Sequence, residues 1–315
     1  MPGRCATKRN NEVDRIDSSH YQRLKPFFVN QPHRLSAYSL PSILVWQNDA
    51  YAPHALVEGD TLVIAGEFMR SKDYHNRHLI LPISPGRQFD PEQLYQLARR
   101  LGFSSYWFIP EDYINSQGRQ RVETYFDIRE HATYHDYVYR TKDLAQLKGN
   151  KYAKKRNLIN QFKREYGGNG SIRTESVSSG NAAECIRFIE QWCADRSCQI
   201  EDEEGLDCEK QACINALSDV DRLGMKSLVL RLNGEIRALG VGYDLTNGMG
   251  VLHFEKADAA VKGLYQYFDQ ICTRTLFPRT TYLNKESDMD LPGLAKAKKS
   301  YHPVDRVKSF RLYLK

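Results

Sequence analysis

No apolar run in this 315-residue chain approaches the ~20 residues that a bilayer-crossing helix requires; the longest reach no further than the stretch from Ile43 to Trp46. Mean hydropathy is −0.60, and a helical integral membrane protein is excluded. Zinc-ligand spacing is missing as well. The seven cysteines, at positions 5, 185, 193, 198, 208, 213 and 272, include no CxxC pair, and the first histidine after the cysteine-rich stretch is His253. Met1 to Asp17 lacks the apolar core of a secretory signal, and Glu12, Asp14 and Asp17 argue against an organelle transit peptide. The segment 1–17 reads as a polar leader, which makes the cytoplasm the expected compartment. No internal repeat is visible.

What is present is globular composition. Apolar residues make up 41%, charged residues 27% and aromatics 11%, with 19 tyrosines, which is too aromatic for a disordered chain. At ~150 residues per domain the length gives roughly two domains. The net charge of +6 and a pI near 8.8 suit an anionic partner. Cys185, Ile189, Trp192 and Cys193 recur at the spacing of one helix face, so the thiols read as buried and reduced.

From His20 to about Asp136 strands and helices are mixed. Ala55–Glu58 and Thr61–Phe68 flank Gly59-Asp60 as a hairpin, and Asp90-Pro91 opens a helix that Gly102 stops, followed by a strand over 105–109. Between Thr141 and Tyr166 the composition changes to eight cations against two acids, with Leu158, Ile159, Phe162 and Tyr166 at helical spacing. This predicts a basic amphipathic helix ended by Gly167-Gly168-Asn169-Gly170. Beyond it come helices over 182–194 and 211–223 around an acidic loop at 201–209, then a meander whose Asn233-Gly234 supplies the positive φ angles of a type I′ turn. A helix from about Ala259, a strand over 280–284, a short helix after Asp290-Pro292 and a last strand over 307–314 complete the chain. This is the element order of the GNAT acyltransferase core.

Two segments can carry chemistry. In Leu147 to Asn157, Gly149 precedes a helix whose first turns project Lys151, Lys154 and Lys155. Lysines next to a positive helix N-terminus form an anion site for phosphates or a nucleic-acid backbone, although a cation run can equally be a solvated face. In Asn284 to Tyr301, polar residues gather at a strand end and run into a helix. Glu286 or Asp288 is the candidate general base and Lys296 or Lys298 the phosphate clamp; the plainer reading is helix capping by Asp288 or Asp290 with solvated lysines. A third stretch, Glu255 to Asp258, ends a strand where a GNAT protein would bind coenzyme A pyrophosphate. The residues that follow, Ala259 to Leu264, hold one glycine and no Q/RxxGxG/A pattern, which counts against an ordinary acetyl-CoA enzyme.

The segments KGNKYAKKRNLINQFKREY (148–166), HFEKAD (253–258) and NKESDMDLPGLAKAKKSYHPVDRVKSFRLYL (284–314) resemble signature segments of a bacterial family similar to the C-terminal catalytic domain of phosphatidylglycerol lysyltransferases. The resemblance covers about residues 25–315 and extends remotely to the transferases that build peptidoglycan cross-bridges from aminoacyl-tRNA. It implies an α/β fold with mixed sheets, made of two tandem GNAT-like domains at 18–145 and 171–315 bridged by the basic helix segment 146–170. It implies catalytic roles for Glu286 and Asp288. Substrate or phosphate binding falls on Gly149, Lys151, Lys154, Arg156, Asn157, Glu255, Asn284, Lys296, Lys298 and Tyr301, with Gly293, Leu294 and Pro303 also matching the pattern. The implied activity is aminoacyl transfer from a charged tRNA to an amine or hydroxyl acceptor, a small molecule or a lipid headgroup. The alternatives are an acyl-CoA-dependent N-acyltransferase and a non-catalytic binder of anionic lipid headgroups or RNA. No metal is implied.

Overall fold

Turn chemistry sets the first sheet. In the computed structural model, which describes residues 13–69, 77–168, 170–195, 206–246 and 248–315, strand β1 is Asp14–Arg15, β2 Tyr51–Glu58 and β3 Thr61–Phe68. The last two form the expected hairpin around Gly59. They are followed by β4 (Arg77–Leu79), β5 (Ser105–Pro110), β6 (Phe126–Glu130) and β7 (Asp136–Arg140). Between β4 and β5 runs helix Pro91–Leu101. Asp90 and Gln93 cap it reciprocally, and left-handed Gly102 ends it. Its apolar stripe, Leu94, Leu97 and Ala98, is buried in the main apolar cluster.

The basic helix spans Ala153–Tyr166 and buries Ile159 and Phe162. After it come β8 (Ile172–Glu175), β9 (Lys226–Leu232), β10 (Glu235–Thr246), β11 (Met249–Ala257), β12 (Tyr282–Asn284), β13 (Asp305–Val307) and β14 (Ser309–Leu314). Asn233 (φ 54) and Gly234 (φ 91) make the two-residue β9–β10 turn that the sequence predicts. The second helix of this half runs Leu206–Ser218, earlier than 211–223, and leaves Val220 and Leu223 buried in the turn after it. The acidic loop lies outside the described residues up to position 205, as does the leader up to position 12. Residues 14 and 15 of that leader pair with β2, and Ile16 is buried.

Two sheets result, ordered β1-β2-β3-β4-β5-β14-β6 and β13-β7-β12-β11-β10-β9-β8. Each is antiparallel except for one parallel pair, β4–β5 or β11–β12, so the fold is α/β with two mixed sheets. The linear division at 145 and 171 does not separate the strands. β7, from the first half, lies between β13 and β12, while β14, last in the chain, lies between β5 and β6. The apolar pattern of a strand specifies a buried face, not a neighbour, so the sequence does not reveal this exchange.

The core follows the same logic. One apolar cluster joins Leu24, Leu44 and Ile64 of the first half to Val229, Leu239, Val241 and Phe254 of the second, so the sheets share it. The opposite face of the second sheet packs Leu230, Leu252 and Leu283 against Phe268 of helix Leu264–Leu276 and Phe162 of the basic helix. Those two helices approach closely because Gly263 (φ 83) has no side chain; a Cβ there would lie 2.3 Å from the Leu158 carbonyl oxygen.

Because strands cross between the halves, unfolding should be one event. Leu312→Ala, at a fully buried position of β14, is expected to cost about 2–5 kcal/mol. Denaturation followed by tryptophan fluorescence and by circular dichroism should give coincident transitions in the parent and in the variant. Two resolved transitions would show that the halves unfold separately.

Candidate functional site

β11 and β12 pair in parallel over only three residue pairs, ending at Val251↔Asn284. β11 runs on to Ala257, whereas the chain after Asn284 turns away, and a cleft of about 700 Å³ opens between them. A β-bulge deepens it. Val241 of β10 faces Phe254 and the next residue, Gly242, faces Leu252, so His253 is the extra residue on β11 and its ring reaches the cleft.

The turning loop is held in a strained conformation. Glu286 (φ 58), Met289 (φ 48) and Asp290 (φ 57) are all left-handed without being glycine. Several bonds impose this. Asn284, fully buried, accepts from the Glu286 backbone N–H at 2.7 Å and donates to the Arg34 carbonyl and to Asp136 Oδ2. Tyr137 donates its hydroxyl to Asp288 Oδ2 at 2.5 Å. Lys298 donates to the carbonyls of Lys285, Glu286 and Ser287. An ammonium has three donors, and all three are used here. Burial pushes the Lys298 pKa down to about 8, against the pull of Glu286.

Glu286 lines the cleft. Its Oε1 accepts from His253 Nδ1 at 2.7 Å, and Oε2 has no hydrogen-bond partner among the described residues. Asp288, expected beside it as a base, is off the cleft wall. Burial would raise its pKa, but the bonds from Tyr137 and the Asp290 N–H, together with Arg306, win and hold it below the usual carboxylate range. Asp288 shapes the loop.

The floor is an ion cluster. Lys285 Nζ donates to Glu255 Oε2 and Asp269 Oδ1, each at 2.7 Å. Two buried carboxylates share one ammonium, so burial and then the Asp269 charge push the Glu255 carboxyl up to about 7 even though Lys285 opposes them. The Tyr301 ring covers the cluster, with Lys155 Nζ 3.9 Å from its centroid, and Lys155 also donates to Ser300 Oγ at 2.7 Å. The opposite wall is aromatic. It comprises Trp46, at the end of helix Leu40–Val45, and Trp192, against which Lys256 stacks while paired with Glu209.

The structure therefore brings Glu255, Glu286, Lys298 and Tyr301 to one cleft, with Gly293 and Leu294 on its rim, and leaves other predicted residues outside it. Arg156 was expected at phosphates but donates to the carbonyls of Leu147 and Gly149, both at 2.6 Å, closing the turn that left-handed Gly149 permits. Lys298 is likewise a loop clasp. Asn284 is a cross-link with no exposed atom to offer. Lys151, Lys154, Asn157 and Lys296 are exposed; Lys151 sits in the turn just before the basic helix, and the helices carrying the others approach at the Lys155–Ser300 bond. Sequence reasoning did not single out His253, Asp269, Lys285 or Trp46. A polar residue inside an apolar strand or helix was the available signal for the first two.

Residues 92–313 match the family model described as phosphatidylglycerol lysyltransferase, C-terminal. The chain is similar in structure to a conserved protein of unknown function from Bacteroides thetaiotaomicron, with a TM-score of 0.84, 25% identity, and coverage of 96% of this chain and 99% of that one. It is also similar to the C-terminal domain of a putative lysylphosphatidylglycerol synthetase from Agrobacterium fabrum, with a TM-score of 0.64, 15% identity, and coverage of 94% and 91%. An uncharacterised protein of Mycoplasmoides gallisepticum is 25% identical over 181 residues, which span 57% of this chain and 56% of that relative. No helix among the described residues is long and apolar enough to cross a membrane.

The shared ammonium predicts a titration. In Asp269→Asn the Glu255 midpoint should fall from about 7 toward the ordinary glutamate range, read from the ¹³C shift of its carboxyl carbon. In the parent this carboxyl holds its proton better in the folded than in the unfolded chain. Its contribution to stability is therefore present below the ordinary glutamate pKa and is lost as pH rises through about 7.

Proposed function

The chain belongs to the phosphatidylglycerol lysyltransferase C-terminal family, and from that premise we propose that it moves an aminoacyl group from an aminoacyl-tRNA to an amine or hydroxyl acceptor. An acyltransferase is what the family and the GNAT-like fold support; the donor and the acceptor class are our reading. The observation that carries it is Glu286, a carboxylate with one oxygen anchored and the other open at the point where β11 and β12 part. The acceptor nitrogen or oxygen would bond to the acyl carbon as its proton passes to Glu286. The ester C–O bond to the terminal ribose then breaks, and that oxygen takes the proton. Backbone N–H groups on the edge of β11 beyond Val251 would steady the developing oxyanion.

A tRNA donor fits this site better than coenzyme A does. Where a pyrophosphate loop would present bare N–H groups, the Ala260 N–H donates to Asp258 Oδ1 at 2.8 Å and the Val261 and Leu264 N–H groups donate to carbonyls of the same turn. Asp258 adds a carboxylate where a phosphate would sit, paired with Arg237 at 2.7 Å. Gly263 is used for helix packing. The exposed lysines Lys151, Lys154, Lys296 and Lys299, by contrast, suit a polyanion such as a tRNA acceptor arm.

Two measurements test this. With a charged tRNA pool and small amines or phosphatidylglycerol vesicles as acceptors, Glu286→Gln should lower turnover about 10²- to 10⁴-fold with little change in donor binding. Transfer at the parental rate would remove Glu286 as base, and tight tRNA binding without any transfer would favour the non-catalytic reading. The double reversal Lys154→Glu with Lys296→Glu should weaken tRNA binding and flatten its dependence on log salt by about 0.7–0.9 for each phosphate no longer neutralised. Because both lysines are exposed, stability should stay within about 0.5 kcal/mol of the parent.

A further inference from the structure

Ser39 precedes helix Leu40–Val45, where a serine hydroxyl ordinarily caps the first turn, yet it makes no side-chain cap bond. Its Oγ lies 2.9 Å from His253 Nε2 instead, in a contact between residues 214 positions apart. His253 Nδ1 is in turn 2.7 Å from Glu286 Oε1. Ser39 is 1% exposed, and the His253 side chain is equally closed to solvent. Three groups thus stand in line: Ser39 off the cleft, His253 in its wall but nearly closed to solvent, and Glu286 opening onto it.

We infer that Ser39 and His253 are positioning residues that hold the Glu286 carboxylate in its working orientation. The hydrogen bonds fix the direction of the relay. An ionised carboxylate only accepts, so Nδ1 carries the proton toward Glu286. A neutral imidazole then accepts at Nε2, and the Ser39 hydroxyl is the donor. An imidazolium would turn both ring nitrogens into donors and leave the Ser39 proton without an acceptor among the described residues. Ser39 is not itself a nucleophile, because its oxygen lies behind the ring, off the cleft wall. With Oε1 tied from behind, rotation of the carboxylate is blocked and Oε2 is presented to the cleft. Ser39 precedes the span that matches the family model, so the first half of the chain completes a site built mainly by the second. The kinetic consequence rests on the acyltransferase reading; the tautomer does not.

The test is long-range ¹H–¹⁵N NMR of the His253 ring at neutral pH in the full chain. The parent should show a single Nδ1–H tautomer. Ser39→Ala should give a mixture with the Nε2–H form, Ser39→Thr should restore the parental signal, and Glu286→Gln should lower the Nδ1–H fraction from the other side. With charged tRNA as donor, Ser39→Ala should lower kcat about tenfold while KM stays within about twofold, since the base is displaced and substrate contacts are untouched. An Nε2–H tautomer in the parent, or one indifferent to Ser39→Ala, overturns the relay. A shifted tautomer with unchanged kcat overturns the positioning role. If the parent transfers nothing from any charged tRNA, the acyltransferase reading falls, and the tautomer measurement still decides the relay.

Discussion

The Lys298 ammonium, enclosed by the carbonyls of residues 285, 286 and 287, is the interaction on which the cleft depends. Left-handed backbone at non-glycine residues costs about 1–3 kcal/mol each, and the loop carries it at Glu286, Met289 and Asp290. Carbonyls that would otherwise point at one another converge on a cation, and the strain is held. The reversal of chain direction that follows turns Glu286 toward β11 and away from the sheet. Asn284 and Tyr137 pin the loop from below, one to the Glu286 N–H and the other to Asp288. All three donors of this lysine go to the loop, and it is the reason the cleft-facing side chains stand where they do.

Strand exchange gives that loop a rigid mount. β7 supplies Tyr137 and Tyr139 beside β12, and the Tyr137 backbone brackets the loop by bonding to Lys285 and Glu286. From either end of one short helix the first half also sends Trp46 to the cleft and Ser39 to the far side of the His253 ring. Neither sheet is complete without the other half of the chain, so the site inherits the stiffness of the shared core and not that of a single loop.

Charge in the cleft is balanced rather than accumulated. Glu255 and Asp269 offset Lys285 and Lys155 on the floor, Glu209 offsets Lys256 on the wall, and Glu286 is the carboxylate whose second oxygen is left to face a substrate. Buried charges persist only when paired, and the pairing here takes up the lysines of the floor and wall while Glu286 Oε2 stays without a hydrogen-bond partner among the described residues. The exposed lysines of the basic helix and helix Pro292–Lys299 lie outside the cleft.

Local order was legible in the residues. The Gly59 and Asn233-Gly234 hairpins, the Asp90-capped helix and the basic amphipathic helix all follow from turn chemistry and periodicity, which act over a few residues and are written out in sequence. The same holds for the polar cluster after β12, whose composition marks Glu286 as a candidate base. The roles inside that cluster were not legible. Whether Arg156 and Lys298 meet phosphates or carbonyls, and whether Asp288 faces the cleft or Tyr137, depends on the direction of a side chain within a folded loop. The strand exchange and the Ser39–His253 contact join residues from 142 (Arg140 and Tyr282) to 214 positions apart, and a bulge that shifts the phase of β11 by one residue brings His253 to the cleft. Sequence determined which segments become strands and helices because backbone preference is local. Tertiary structure alone decided which polar groups remain unsatisfied and available, because that depends on which partners the packed chain brings within hydrogen-bond distance.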